Sequence, residues 1–490
     1  MKYSICSFVV VAYYYSTAFC NFLEYAPTAY MRRKFLSGFG GSFGTCVVTN
    51  DDALLWTDSR YWNEAGMQLD SSLWSLMRQG QPKVPTITKY LSEKAIKKLD
   101  KTAATNGEEI EGKTLRVGID PFVFPSSFAD EFNEAMKKEA KEGLNDENLV
   151  IGELVASHPN LIDPIWGDER PPIPYNPFRV HPFEFSGMAV ESKVAKIREE
   201  MVNKKATMAV FCTLDDVAYL LNMRCKGDVS TCPVGLAYAV VTLDDVTLYC
   251  DSRKVESSDV QEHLSEVRIK PYEDIVDDIK QHANDKDSNN KVWIDKSRSN
   301  LALVRVIPEN VLCNCQNLIT SMKACKNEHE LKGMRKAHVV DGVAMANGIA
   351  WLEDKIVVQG KSVSEVEIDE VLTEFRAKQP GFLECSFPTI AGVGSNAAII
   401  HYSAKPGNLM KYLDTKEPVL IDSGGQYTYG TTDVTRTWHF GKATKEFKDV
   451  YTRVLKGNIG LDSLIFPENT PGFVLDVLAR QSLWEVQKGK

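Results

Sequence analysis

A near-repeat of fourteen residues constrains the fold of this chain more than any other feature. Residues 47–60 read VVTNDDALLWTDSR and residues 240–253 read VVTLDDVTLYCDSR, so nine of the fourteen positions agree at a constant offset of 193. In each copy, two β-rich runs flank an Asp-Asp turn, which predicts a hairpin that ends in Asp-Ser-Arg. Two such units indicate that the first two domains are duplicates of one another.

The rest of the chain divides around these units. A chain of 490 residues has room for about three domains. The proline-rich stretch at 163–183 predicts an ordered linker, because proline interrupts helices and central strands. Asn327 and Glu330 have the spacing of a capping box at the start of a long helix. We therefore expect a start segment (1–20), a first α/β domain (21–162), the linker (163–183), a second α/β domain (184–319) and a third domain (320–490).

The start segment supports more than one interpretation. Met1 and Lys2 precede an apolar run to Cys20, a pattern typical of a signal peptide. The offset of 193 places the first copy's opening strand near Tyr14 to Phe19 and its opening helix before Met1. Three explanations stay open: the first domain lost its helix and keeps a makeshift strand, a secretion signal replaced both elements, or the chain start is wrongly assigned.

Composition narrows the class of protein. A net charge of −9 without a basic run argues against a nucleic-acid partner, and after the start segment no stretch is long and apolar enough to cross a membrane. Most of the eleven cysteines lie in apolar, strand-like runs, as buried free thiols do. We therefore expect a cytoplasmic protein, with secretion as the alternative if residues 1–20 are a genuine signal peptide.

Two aspartates in the third domain indicate a metal site. Val419 to Ile421 predict a buried strand that ends at Asp422, and the alternation from Thr431 to Phe440 predicts a second strand. Antiparallel pairing brings the carboxylates of Asp422 and Asp433 close together, where a divalent cation would compensate their charges. The alternative is a turn-capping aspartate beside a solvated one at a strand edge.

These residues carry a family resemblance. The block DSGGQYTYGTTDVTRTWHFG, with SFPTIAGVGSNAAIIHY at 386–402 before it, resembles the metal-binding core of Xaa-Pro aminopeptidases, which belong to the creatinase-like "pita-bread" metallopeptidases. The likeness extends from about Glu24 to Lys490. It implies an α/β fold with two related N-terminal creatinase-like domains, followed here by an incomplete pita-bread (α+β) catalytic domain.

The resemblance also implies an activity and a set of site residues. Family members release the N-terminal residue from peptides with proline in second position, use two divalent ions such as Mn²⁺, and form homodimers. By resemblance Asp422 and Asp433 are metal ligands, and His401 is the catalytic residue that hydrogen-bonds substrate near the scissile bond. Arg60 matches a substrate-binding arginine, but a surface salt bridge is an equal alternative, since Arg253 holds the same place in the repeat.

The metal-ligand set is incomplete in this sequence. The complete family site has three further ligands, a histidine in HGTGHG and two glutamates, yet no histidine follows His439. Glu446, Glu468 and Glu485 do not lie in matching motifs. We therefore expect at most one weakly held ion and an inactive chain as given, which is a truncated product, an incomplete gene model or a non-catalytic relative. The alternative function is a non-catalytic peptide- or partner-binding protein of the pita-bread fold.

Overall fold

The computed structural model describes residues 8–10, 14–15, 26–106, 115–144, 152–285, 290–407 and 409–486. No helix in this part of the chain combines the length and apolarity needed to cross a bilayer. The elements fall into three successive groups, and each group has its own sheets.

The first group is a seven-stranded sheet flanked by helices. Its strand order is β5-β4-β3-β1-β6-β7, with β2 also paired to β3. Helices α3 and α4 pack on one face, where Val47, Leu54 and Phe132 form part of the core. The elements are β1 (Phe8–Val10), β2 (Tyr14–Tyr15), α1 (Arg32–Ser37), β3 (Gly44–Val48), β4 (Ala53–Thr57), α2 (Trp62–Gln68), β5 (Ser75–Arg78), α3 (Ile87–Asn106), β6 (Leu115–Ile119), α4 (Ser126–Leu144), β7 (Gly152–Ala156) and α5 (Asp163–Trp166).

The second group repeats this architecture. Its six-stranded sheet has the order β13-β12-β11-β9-β14-β15, while β8 and β10 form a separate pair. The elements are β8 (Phe178–Val180), α6 (Phe183–Ser186), α7 (Val190–Lys204), β9 (Met208–Phe211), α8 (Leu214–Leu220), β10 (Met223–Cys225), β11 (Tyr238–Thr242), β12 (Val246–Tyr249), α9 (Ser258–His263), β13 (Arg268–Lys270), α10 (Ile275–Asn284), β14 (Val292–Ile294), α11 (Leu301–Val304), β15 (Leu312–Asn314) and α12 (Leu318–Ala324).

The predicted duplication is confirmed by strand order and register. In both sheets the hairpin pairs antiparallel with the opening strand, and the outer strand on each side is parallel to its neighbour. Val48 faces Ala53 in the first hairpin and Val241 faces Val246 in the second, which are the same positions at the offset of 193.

The opening strand of the first copy lies earlier than predicted. Val10 pairs with Val48, whereas Ala209 pairs with Val241 in the second copy. The prediction near Tyr14 to Phe19 was wrong for this strand, because the chain between the paired strands is longer in the first copy. Tyr14–Tyr15 does pair with β3, but residues 16–19 lie outside the described part of the chain.

The third group places small sheets against two long helices. A capping box formed by Asn327 and Glu330 starts α13, as the sequence predicted, and the Ser364 hydroxyl caps α14. The three-stranded sheets have the orders β18-β20-β23 and β17-β21-β22. The elements are α13 (Glu328–Glu353), β16 (Val363–Ser364), α14 (Glu365–Ala377), β17 (Phe382–Cys385), β18 (Ile390–Val393), β19 (Tyr412–Leu413), β20 (Val419–Ser423), β21 (Gly425–Tyr427), β22 (Gly430–Thr431), β23 (Val434–Trp438), α15 (Lys445–Asp462) and α16 (Gly472–Trp484).

Candidate functional site

The carboxyl groups of Asp422 and Asp433 are in contact. Asp422 lies near the end of β20, opposite Thr435 of β23, and Asp433 lies in the gap between β22 and β23. The pKa of Asp433 is raised, first by partial burial and then by the charge of Asp422 and a hydrogen bond with it. The structure therefore brings together the two residues that the sequence pattern paired, while their role as metal ligands stays a prediction.

The backbone between the two aspartates differs from the expected hairpin. The predicted strand from Thr431 to Phe440 is broken at Thr432 and Asp433, and the chain after Gly424 continues as β21 instead of forming a simple turn. The amide of Gly425 donates to the Thr432 hydroxyl (2.9 Å), and the Thr432 amide donates back to the Gly425 carbonyl (3.0 Å). These bonds redirect the chain before β23, so that Asp433 reaches Asp422.

Gly424 permits this close approach. A Cβ atom at Gly424 would overlap the carbonyl oxygen of Thr432 and the hydroxyl of Ser386. Ser386 itself donates to that carbonyl (2.8 Å), and its amide donates to the Gly424 carbonyl (3.1 Å). Because backbone contacts backbone here, only glycine fits without moving the segment that carries Asp433.

The donor chemistry of this pair suits a hard divalent cation. Asp422 Oδ1 is buried and has no hydrogen-bond partner among the described residues, which is costly unless another group binds it. Two adjacent carboxylates are the ligands that Mg²⁺ or Mn²⁺ prefer. Within the described ranges, no group of three or more His, Cys, Asp or Glu residues could hold a metal. The residues present therefore fit one cation bound through two side chains.

The two aspartates line a cleft of about 670 Å³ between the first and third groups of elements. The third group supplies Phe387, His401 and Lys405, besides the acidic pair. The first group supplies the opposite wall, which includes Arg33, Gly41, Ser42, Tyr61 and Glu64.

Arg33 and Glu64 bring opposite charges to the first-group wall. Arg33 is buried and donates to the carbonyls of Gly41 and Gly44, so it also holds the glycine-rich loop beside the cleft. The pKa of Glu64 is raised by burial, against the opposing effects of a hydrogen bond from Gln68 and the nearby positive charge of Arg33. The cleft therefore presents fixed charged groups from a part of the chain far from the aspartates in sequence.

His401 is held in an uncommon backbone conformation. Its φ angle is +59°, a region that costs energy for a residue with a side chain and is retained only when the surroundings impose it. The imidazole Nδ1 hydrogen-bonds to the hydroxyl of Tyr61 from the first group, and the two rings meet edge to face with centroids 5.3 Å apart. The structure thus places His401 in the cleft with the aspartates.

Glu365 fixes the loop that carries His401. This fully buried carboxylate accepts hydrogen bonds from the amides of Val393 (2.7 Å) and Lys411 (2.8 Å), the side chain of Asn396 (3.0 Å) and the hydroxyl of Tyr402 (2.7 Å). Because Tyr402 follows His401 directly, this network fixes the backbone position of the histidine.

Arg60 lies beside the cleft. Among the described residues, the cleft wall includes Tyr61 but not Arg60. The Arg60 guanidinium pairs with Asp58 (2.8 Å), and Arg253 pairs with Asp251 (2.6 Å) in the same local geometry. Arg60 also lies over the ring of Tyr61, at 5.3 Å from its centroid, and it is 43% exposed. Both predicted roles, substrate binding and a surface salt bridge, are compatible with this position.

Sequence reasoning missed Tyr61, Glu64 and Glu365. Tyr61 follows the repeat directly, and the second copy has Lys254 at that place. The difference between Tyr61 and Lys254, directly after the fourteen-residue repeat, is the signal in the sequence that could have indicated a special role for Tyr61. Glu365 follows a helix cap, where a glutamate ordinarily has a local electrostatic role. Its buried partners come from segments that only the tertiary structure brings together.

Three family models match successive parts of the chain. Models described as "Creatinase/Prolidase N-terminal domain" match residues 28–146 and 169–330, and one described as "Metallopeptidase family M24" matches residues 332–489. The matches follow the order of the three groups of elements.

Curated relatives agree with these matches. A "Probable Xaa-Pro aminopeptidase P" from Botryotinia fuckeliana is 41% identical over 94% of this chain and 67% of its own length. "Aminopeptidase P2" from Arabidopsis thaliana is 37% identical over 94% of this chain and 65% of its own length. The chain therefore spans about two thirds of the length of these relatives.

A solved structure shares the whole architecture. The X-prolyl aminopeptidase from Caenorhabditis elegans, described as a cytosolic enzyme with a di-nuclear active site, superposes with a TM-score of 0.86 at 32% identity. The match covers 98% of this chain and 73% of that one.

Proposed function

The chain belongs to the M24 metallopeptidases of the Xaa-Pro aminopeptidase P type, and on this premise we propose that its cleft is built to release the N-terminal residue from peptides with proline in second position. The observation that carries the proposal is the contact between Asp422 and Asp433 inside a cleft that also contains His401. Hydrolysis at a metal centre needs this combination of a cation site, a hydrogen-bond donor and an enclosed substrate cleft.

We propose that Asp422 and Asp433 bind Mn²⁺ or a similar divalent ion. When bound, such an ion polarises the peptide carbonyl and activates water for its attack. The two carboxylates supply two negative charges, which compensate one divalent cation and not two. Since the three other ligands of the family site have no counterpart in this sequence, we expect weak binding of a single ion and little or no turnover by these 490 residues.

We propose that His401 binds the substrate carbonyl beside the scissile bond. A donor at this place stabilises negative charge as it develops on the carbonyl oxygen. Arg60 would pair with a carboxylate or backbone carbonyl of the peptide if substrate draws it away from Asp58. The buried wall made by Tyr61 and Arg33 limits the access of water to the bound peptide.

The cellular setting and assembly are also proposals. The C. elegans structure is described as that of a cytosolic enzyme, and the described cysteines of this chain are free. We propose a cytoplasmic protein on these grounds. We propose a homodimer from family resemblance alone.

Calorimetric titration with Mn²⁺ and with tripeptides tests the function. A tripeptide with proline in second position is compared with the same peptide carrying alanine there, with and without Mn²⁺. We expect one weak Mn²⁺ site that Asp433→Asn removes, and tighter binding of the proline peptide to the metal-loaded protein. Equal binding of the two peptides would contradict the proposed substrate class.

An assay for the released N-terminal amino acid completes the test. Turnover of the proline peptide that Asp433→Ala abolishes would confirm the enzyme class and contradict the expected inactivity of this chain. Proline-specific binding without turnover is the expected result.

A further inference from the structure

Tyr61 connects the first group of elements to the catalytic cleft. It directly precedes α2, and its side chain is fully buried. Its hydroxyl oxygen lies 2.5 Å from Ser42 Oγ and is hydrogen-bonded to Nδ1 of His401, 340 positions further along the chain. The ring of Phe39 meets the Tyr61 ring edge to face at 6.0 Å. The phenol is therefore fixed on both sides before it contacts the histidine.

We propose that Tyr61 is a positioning residue that holds the neutral imidazole of His401 with its proton on Nε2; the proposal rests on the function proposed above. A neutral imidazole carries one N–H, and the partner of one nitrogen decides which nitrogen has it. When Tyr61 donates to Nδ1, the proton is on Nε2. His401 can then donate to a substrate carbonyl in the cleft, and Tyr61 acts through it.

Relative acidity favours this direction of the hydrogen bonds. A phenol (pKa near 10) is a stronger donor than a serine hydroxyl, whereas an imidazole nitrogen is a strong acceptor. The favoured arrangement has Ser42 donating to the Tyr61 oxygen and Tyr61 donating to His401 Nδ1. The reverse arrangement would leave Nε2 as an acceptor, which could not stabilise negative charge on a substrate oxygen.

The internal duplication shows that the hairpin does not itself require a tyrosine at this place. The residue at the same position of the second copy is Lys254, which is buried, forms an ion pair with Asp228 and donates to the carbonyl of Asn176 (3.3 Å). The two sheets have the same strand order, yet this position faces the cleft only in the first copy. The tyrosine is therefore not a requirement of the shared scaffold, and in the first copy it is the residue that contacts His401.

Two separate sets of contacts hold His401 in place. Glu365 fixes the backbone of the loop through Asn396 and Tyr402, within the third group of elements. Tyr61 fixes the ring from the first group. The backbone contacts alone do not select a side-chain rotamer, so the hydrogen bond with Tyr61 sets the orientation of the ring.

Nuclear magnetic resonance tests the proposal without any need for turnover. Long-range ¹⁵N–¹H spectra of the protein labelled at the imidazole nitrogens distinguish the two neutral tautomers. The chain has eight histidines, and the signal missing in His401→Gln identifies the residue. We expect the Nε2–H tautomer in the unaltered protein and a mixture of tautomers in Tyr61→Phe, which keeps the ring and loses the hydroxyl.

Two further variants serve as a control and as a second test. Tyr249→Phe removes a hydroxyl that donates to Asp278 (2.6 Å) in the second group, and it should leave the His401 signals unchanged. Ser42→Ala should shift the tautomer population in the same direction as Tyr61→Phe, and it serves as the test if that variant does not fold. An Nδ1–H tautomer in the unaltered protein, or no change in either cleft variant, would overturn the proposal.

The proposed function and this inference can fail separately. If the tautomer responds to Tyr61→Phe but proline peptides do not bind, the function is wrong and the positioning role stands. If the proline peptide is turned over, Tyr61→Phe should lower kcat about 10-fold with little change in KM, because the donor that Tyr61 positions acts in the transition state. Turnover with an unaltered tautomer in Tyr61→Phe would overturn the positioning role alone.

Discussion

Arg376 and Asp341 form a two-point ion pair that is enclosed behind the strand carrying Asp422. Arg376 Nε lies 2.8 Å from Asp341 Oδ1, Nη2 lies 3.2 Å from Oδ2, and both side chains are almost completely buried. Arg376 also donates to the hydroxyl of Ser423 (3.0 Å), and Tyr427 donates to Asp341 (2.8 Å). The pair therefore ties α13 and α14 to the strands on either side of Gly424.

Removing one partner of this ion pair should destabilise the protein strongly. Arg376→Met leaves the Asp341 carboxylate buried without its cation, and we expect the free energy of unfolding to fall by about 3–5 kcal/mol. The double variant Arg376→Met/Asp341→Leu should recover part of this loss, because it removes both charges. Urea denaturation measures both changes.

The exposed pair Arg480–Asp476 is the matched control (2.5 Å; side chains 53% and 48% exposed). Arg480→Met should cost less than about 1 kcal/mol. A loss in Arg376→Met no larger than in this control would show that the buried pair is not needed for stability.

Replacing Glu365 should loosen the His401 loop. In Glu365→Gln an NH₂ group takes the place of one acceptor oxygen and faces donors, so we expect a loss of about 2–3 kcal/mol in unfolding free energy. The amides of Val393 and Lys411 should also exchange their hydrogens faster. Glu370→Gln, an exposed change on the same helix, is the control and should alter neither measurement.

A methyl group at Gly424 should displace Asp433 from Asp422. Its Cβ would overlap the Thr432 carbonyl, so the chain between β21 and β23 must move. We expect Gly424→Ala to abolish Mn²⁺ binding in calorimetric titration and to lower the melting temperature. Gly66→Ala, in open space on α2, should raise stability by up to about 1 kcal/mol. Unchanged Mn²⁺ binding in Gly424→Ala would mean that the ion does not need both carboxylates.

His181 should make the protein sensitive to mild acid. Burial, followed by the nearby positive groups of Arg224, Arg179 and Lys193, lowers its pKa from 6.5 to about 3. Below about pH 6.5 the unfolded chain therefore binds a proton at this histidine that the folded protein does not bind. The contribution of His181 to the free energy of unfolding is complete above that pH and is lost as pH falls. Between pH 7 and pH 5 the loss should be about 2 kcal/mol.

His181→Gln removes this contribution, so its unfolding free energy should depend less on pH over the same interval. His338→Gln is the control, since His338 is exposed on α13. Urea denaturation at pH 7, 6 and 5 compares the three proteins. Parallel pH profiles for His181→Gln and the unaltered protein would refute the assignment.

The sequence was most informative where structure depends on neighbouring residues. The hairpins, the capping box at Asn327 and the pairing of Asp422 with Asp433 are set by local pattern, and the structure has them. The sequence predicted that a strand ends at Asp422, and it did not predict the further strand that begins at Gly425, directly after Gly424. Here the missing side chains allow two backbones to meet, and β21 continues.

The remaining site residues were beyond sequence reasoning because their roles come from distant contacts. Tyr61 meets His401 across 340 positions, and Glu365 gathers donors from loops that follow other strands. The local sequence around a tyrosine after a hairpin, or around a glutamate after a helix cap, does not predict such distant partners. Arg60 remains open between its two predicted roles for the same reason.

The matching strand orders of the two leading sheets carry a consequence for how this protein acquired its cleft. Each of the two copies needs its hairpin to fold. The residue just beyond the hairpin can differ between the copies, because the hairpin does not depend on it. In the second copy this residue, Lys254, forms an internal ion pair, and in the first copy it is Tyr61, which lines the cleft with Asp422 and Asp433. The duplicated scaffold thus supplies the second wall of the cleft through a different residue at one position, without an additional domain.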